Sequence, residues 1–162
     1  MKRHNSNFFQ NCIEITEDLI LAGTGKDLDD ILPKNIRALS SMGCRIELGA
    51  FGTGNASITR LKNLSIDQIN IDKSFITRVD RDNEQQNMVT AILTMAEQLN
   101  LATLATGVDT AGEHAMLAQL GCNAVQGHTI SCPMRANMVA DWAKNYALRL
   151  PSKIALPGNS AG

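Results

Sequence analysis

The chain predicts an α/β protein of about five β-α units with parallel strands, and three observations predict it. Five short runs rich in β-branched and apolar residues alternate with longer stretches of helical periodicity. The order is strand then helix throughout, and a helix that carries the chain back across a sheet leaves the next strand parallel to the last. The 162 residues suffice for one domain with a sizeable core. Two closures fit that pattern. One is a complete five-stranded doubly wound domain of flavodoxin-like size, the ordinary complete fold at this length. The other is five units of an eight-unit barrel that normally takes about 250 residues.

The elements follow in order. After an N-terminal tail at 1–11, CIEIT at 12–16 is the first strand. A helix is predicted at about 27–42, with a break or fresh start at Pro33, because an internal proline removes a hydrogen bond and clashes with the preceding turn. RIEL at 45–48 is the second strand, and a helix at about 57–63 follows it. Gly52 and Gly54, which lie between, suit a tight turn better than a phosphate cradle. QINI at 68–71 is the third strand, and Asp72 after it suits a helix cap as well as a ligand contact. In the helix predicted at 84–99, Met88, Ile92, Met95 and Leu99 share one apolar stripe and read as core. LATLA at 101–105 is the fourth strand. The helix at 111–120 has a capping box at its start, Thr110 with Glu113, and Gly121 as its stop. AVQG at 124–127 is the fifth strand, and a last helix is predicted at about 136–147. The prolines and small residues of 148–162 read as a flexible C-terminal tail.

Fifteen Lys and Arg stand against 16 Asp and Glu, a formal charge of −1, so no whole-chain field draws the molecule to a nucleic acid polymer or an anionic membrane. No apolar run approaches the roughly 20 residues that span a bilayer, and MKRHNSNFF lacks the apolar stretch of a signal peptide, which makes the cytoplasm the expected compartment. Cys12, Cys44, Cys122 and Cys132 are widely spaced and form no zinc-type pair. They are expected to be reduced thiols, the first three buried as small hydrophobes at strand starts. Neither His114 nor His128 has a cysteine or acid partner that would mark a nucleophilic triad.

The motifs carry more than the composition. IEITE at 13–17, LGAFGTG at 48–54, INID at 69–72, LATGVDT at 104–110 and GCNAVQGHTISCPM at 121–134 resemble, in the same order, the signature segments of EAL-domain cyclic-di-GMP phosphodiesterases. The resemblance runs from Ile13 to about Trp142. It implies a partial (β/α) TIM-type barrel, with residues 12–147 as the partial EAL-like domain, in place of the doubly wound alternative. It also implies two-metal hydrolysis by Mg or Mn of the cyclic dinucleotide to linear pGpG. Two dications about 3.5–4 Å apart need several carboxylates to hold them.

This chain departs from the family pattern at the positions that would supply those groups. Paired aspartates are replaced by Gly49 and Ala50, a glutamate by Thr106 and a lysine by Asn70; a second glutamate becomes Asp109. By resemblance Glu14 is retained as a residual metal ligand and Glu17 as a loop-ordering acid. Glu14, Glu17, Asp72, Asp109 and Gln126 form the residual ligand-binding set. On the residues alone, Glu14 is also explained by exposure at a sheet edge, and Gln126 by bonds to backbone. The expectation is a degenerate EAL-type domain without functional catalytic residues or cofactor, acting by binding cyclic-di-GMP or by protein interaction. Open sheet edges would serve a homo-oligomer or another domain. The alternative is an active metal-dependent phosphodiesterase.

Overall fold

The structure, a computed structural model, describes residues 11–21, 26–52 and 61–149, which fall into two compact units that divide after Ser131. The first unit holds five strands: β1 (Cys12–Thr16), β2 (Arg45–Phe51), β3 (Gln68–Ile71), β4 (Ala102–Thr106) and β5 (Ala124–Gln126). Its helices are α1 (Glu17–Leu21), α2 (Lys26–Ser41), α3 (Lys73–Ile76), α4 (Asn83–Gln98) and α5 (Ala111–Leu120). The described part of the second unit contains α6 (Ala136–Arg149), on which the rings of Trp142 and Tyr146 stack at 5.0 Å. No helix among the described residues is long and apolar enough to cross a membrane.

All neighbouring strands are parallel, and their order is β1-β2-β3-β4-β5. A doubly wound sheet reverses its progression at a switch point, which puts a later strand on the far side of the first. The monotonic order found here is that of a (β/α) barrel, so the sheet is a five-unit part of one.

Alternation within the strands sorts their side chains onto two faces. Ile15, Ile46, Leu48, Ile69, Ile71 and Ala105 are buried with Ile36, Val89, Ile92, Ala96 and Leu117 of the helices. The opposite face, the interior side of a barrel, is polar: Glu14, Arg45, Glu47, Gln68, Asn70, Thr106 and Gln126 share it through their pairing register.

Several expectations change. Helix α2 runs through Pro33 without a break, because Leu32, Ile36 and Leu39 anchor it to the core on both sides of the proline. Strand β2 continues to Phe51, past the expected end at 48, with a bulge between Leu48 and Phe51. The buried stripe of α4 is Val89, Ile92 and Ala96, whereas Met88 is exposed; the stripe lies one position later than its methionines suggest. None of the four cysteines forms a disulfide, but Cys12 is exposed, since β1 forms one edge of the described sheet. Helices α1 and α3, five and four residues long, are too short to show a helical period. The helix expected at 57–63 lies outside the described residues up to position 60.

Candidate functional site

Five β-α junctions lie at the carboxyl ends of the strands, where barrel proteins assemble their sites. At the first two, the space beside buried Gly49 is taken by Glu14. A Cβ built on Gly49 would stand 2.7 Å from the Glu14 Cδ, with a carboxylate oxygen closer still. Glu14 itself is exposed on the edge strand, and Glu17 is buried at the start of α1. Ala50 has a φ of +51°, a region that costs an ordinary L-residue about 1–2 kcal/mol. Ala50→Gly is therefore expected to raise unfolding stability by about 0.5–1 kcal/mol in denaturant titrations, the relief of strain less the greater chain entropy of glycine. Gly52, at φ +100° and packed against the Phe75 ring, serves the turn.

At the third junction, Asn70 is buried and bonded through both its amide oxygen and nitrogen. Its Oδ1 accepts from Gln68 Nε2 at 2.8 Å, and its Nδ2 donates to Glu47 Oε2 at 3.1 Å. Glu47 pairs in turn with Arg45 at 3.5 Å, and Arg45 donates to Gln68. The amide is thus a strut in a wall of side chains. Asp72 caps α3 by accepting from the Ser74 N–H at 2.9 Å, a bond that lowers its pKa from 3.8. Thr106, at the end of β4, donates its hydroxyl to the Ile71 carbonyl at 2.8 Å and so is bound back to the sheet. Gln126 is exposed at the end of β5, and its backbone carbonyl accepts from Val108 N–H at 3.0 Å.

Asp109 is where the loops converge. Lys73 Nζ donates to its Oδ2 at 2.6 Å, and His128 Nδ1 lies 2.8 Å from its Oδ1. Three loops, after β3, β4 and β5, thereby meet in one cluster with Asp109 between Lys73 and His128. His128, which lacks an acid neighbour in the sequence, gains one here: 19 residues separate the pair, and only the fold closes that gap. The hydrogen bond from Lys73, then that from His128, holds the Asp109 pKa down at about 2, and the same contact raises that of Lys73. A carboxylate with a depressed pKa stabilises the fold fully above its ordinary value of 3.8, and that contribution is lost as pH falls through about 2.

The framework under this cluster is held by hydrogen bonds. Glu113, buried on α5, accepts from Arg78 N–H at 2.9 Å, Asp109 N–H at 3.0 Å and Thr110 N–H at 3.1 Å, completing the expected capping box and tying the β4 loop to the turn after α3. Gly107, at φ +73°, leaves the passage through which the Lys73 stem runs; a Cβ there would meet Lys73 Cγ and Cδ at 2.7 Å. On the other side, Thr129 N–H donates to the Val108 carbonyl at 3.2 Å and fastens the loop that carries His128.

The donor set does not fit a pair of dications. Gly49 and Ala50 have no side-chain ligand atoms, Thr106 is turned to the sheet, and the two Asp109 oxygens are engaged by Lys73 and His128. Among the described residues, no three His, Cys, Asp or Glu side chains come together in a way that would hold a metal ion.

Comparison with known proteins agrees with the fold. A family profile described as EAL domain matches residues 2–133. The chain is 33% identical over 144 residues to the cyclic di-GMP phosphodiesterase PdeR of Escherichia coli, covering 87% of this chain and 21% of that protein. It is 34% identical over 137 residues to the bifunctional diguanylate cyclase/cyclic di-GMP phosphodiesterase MucR of Pseudomonas aeruginosa, covering 85% and 19%. The chain thus spans about a fifth of the length of these relatives. Among solved structures, the PaMucR phosphodiesterase in complex with c-di-GMP superposes with a TM-score of 0.68 at 34% identity, over 79% of this chain and 50% of that one. The EAL domain of Mycobacterium smegmatis DcpA gives 0.73 at 28% identity, over 82% and 58%. The chain belongs to the EAL domain family.

Proposed function

We propose that this EAL domain acts in cyclic-di-GMP signalling by binding rather than by two-metal hydrolysis. One observation carries the reading: Asp109, the acid kept in the second motif, has both oxygens committed to Lys73 and His128. A dication brought to that carboxylate would meet an ammonium already bound to it. The neighbouring junctions offer no substitute, because Asn70 is locked between Gln68 and Glu47 and Thr106 is bound to Ile71. Glu14 is the residual position for a single metal, and one carboxylate cannot offset the repulsion of two cations. The ligand reading draws on the likeness to a phosphodiesterase solved with c-di-GMP, and the junctions that bear Asp72, Asp109 and Gln126 supply the surface for it.

The test is incubation of the purified chain with cyclic-di-GMP and Mg²⁺ or Mn²⁺, with calorimetry in parallel. Heat of binding without formation of linear pGpG is the expected result. Turnover near the ordinary enzyme range of about 1–10³ per second would overturn the hydrolytic half of the reading. The absence of heat at tens of micromolar protein would overturn the other half.

A further inference from the structure

We propose that Lys73 and His128, held on either side of Asp109, form a binding site for a phosphate group. It rests on the reading above only for which phosphate ester is the natural ligand. The count of donors is the first argument. An ammonium has three N–H groups and Lys73 spends one on Asp109; a protonated imidazole has two, and His128 spends Nδ1, leaving Nε2 without a hydrogen-bond partner among the described residues. Each residue thus keeps a donor for a phosphate group with neither bond to Asp109 broken.

Charge and exposure give the second argument. Protonated His128, Lys73 and Asp109 sum to +1. The side chains of Lys73 and His128 are 56% and 63% exposed, against 35% for Asp109 between them, so the cluster meets solvent mainly with its cations. The nearby acids are otherwise engaged. Glu113 accepts three backbone N–H groups, Asp72 caps α3, and Asp80 pairs with Arg81 at 3.2 Å.

Preorganisation is the third. The Lys73 stem is confined in the gap left by Gly107, and Asp109 is held by Glu113 through its own N–H. His128 rides on a loop bonded to Val108. Donors fixed before the ligand arrives lose little freedom on binding. The cluster occupies the junctions after β3, β4 and β5, so a phosphate here stands at the carboxyl end of the sheet without any metal between it and the protein.

The experiment is an NMR titration of the intact chain at pH 6, with inorganic phosphate and then pyrophosphate as probes and the His128 imidazole signals as readout. A saturable shift of those signals is expected. Lys73→Met should weaken pyrophosphate binding at least about fivefold, whereas Lys62→Met, which removes one exposed lysine elsewhere, should leave it unchanged. Circular dichroism melting of each variant confirms that it is folded. An imidazole signal that does not move with either anion overturns the proposal, as does an equal loss in Lys62→Met, which would show a diffuse charge effect. Cyclic-di-GMP is titrated last. If pyrophosphate binds and the dinucleotide does not, the phosphate site stands and the nucleotide reading falls; if neither anion moves the imidazole signals and the dinucleotide binds equally well to wild type, Lys73→Met and His128→Phe, the nucleotide reading stands and the phosphate site falls.

Discussion

Gly127→Ala is expected to destabilise the protein by about 3 kcal/mol, close to the upper end of ordinary overpacking costs. A Cβ on Gly127 would lie 2.6 Å from the Val108 carbonyl carbon, with the Val108 oxygen and nitrogen nearer still. The collision is with backbone, which cannot swing aside as a long side chain can. Val108 has no room to retreat, since its side chain is fully buried and its N–H and carbonyl are bonded to Gln126 and Thr129. Relief therefore requires the β4 and β5 loops to separate, which breaks both bonds and carries His128 away from Asp109. Thermal unfolding followed by circular dichroism should show a midpoint lowered by roughly 10 °C for a chain of this size. A midpoint within about 2 °C of wild type would show that the two loops do not meet as described.

Glu113→Ala is expected to cost a similar amount, about 3 kcal/mol, for a different reason. Its carboxylate is the acceptor for three backbone N–H groups on two loops, and alanine leaves them without a partner in a part-buried setting. Glu113→Gln should cost roughly half as much, because the amide keeps one acceptor oxygen and turns a donor toward the N–H groups on the other side. The pH dependence follows from the same bonds. Burial raises the Glu113 pKa, but the hydrogen bonds from Arg78, Asp109 and Thr110 outweigh it, and the net shift is downward from 4.5. The contribution is thus complete above the ordinary glutamate value and drains away as pH falls through the lowered one. Urea titrations of wild type and Glu113→Gln at pH 7 and pH 3 measure it: the gap between the two proteins should narrow at the lower pH. A gap that widened on acidification would refute the assignment of those hydrogen bonds to the ionised carboxylate.

Much of the fold was legible because its signals are local. Alternation in CIEIT and QINI, the Thr110-Glu113 box and the Gly121 stop each concern a few adjacent residues, and each appears where expected. Strand order was not legible from periodicity, since any parallel arrangement of five units has the same rhythm; only the EAL-like motifs argued for the barrel. Pro33 misled because a propensity cost was weighed without the packing of Ile36 and Leu39 that offsets it. In the site, the motifs led to Asp109 but not to what binds it. Lys73 and His128 lie 36 residues before and 19 after it, beyond any local pattern. One signal was available: all three residues fall within three positions of a strand's carboxyl end, where barrel side chains converge.

The hollow beside Gly49 bears on which substitutions the site can take. With the Glu14 carboxylate lodged there, a mutation that returned aspartate to position 49 would set two negative charges together with no metal to reconcile them. Asn70 is similarly braced by its neighbours, and Asp109 is held by Lys73 and His128. Under the binding role proposed above, each single substitution toward a metal-holding set would be unfavourable until the others had been made.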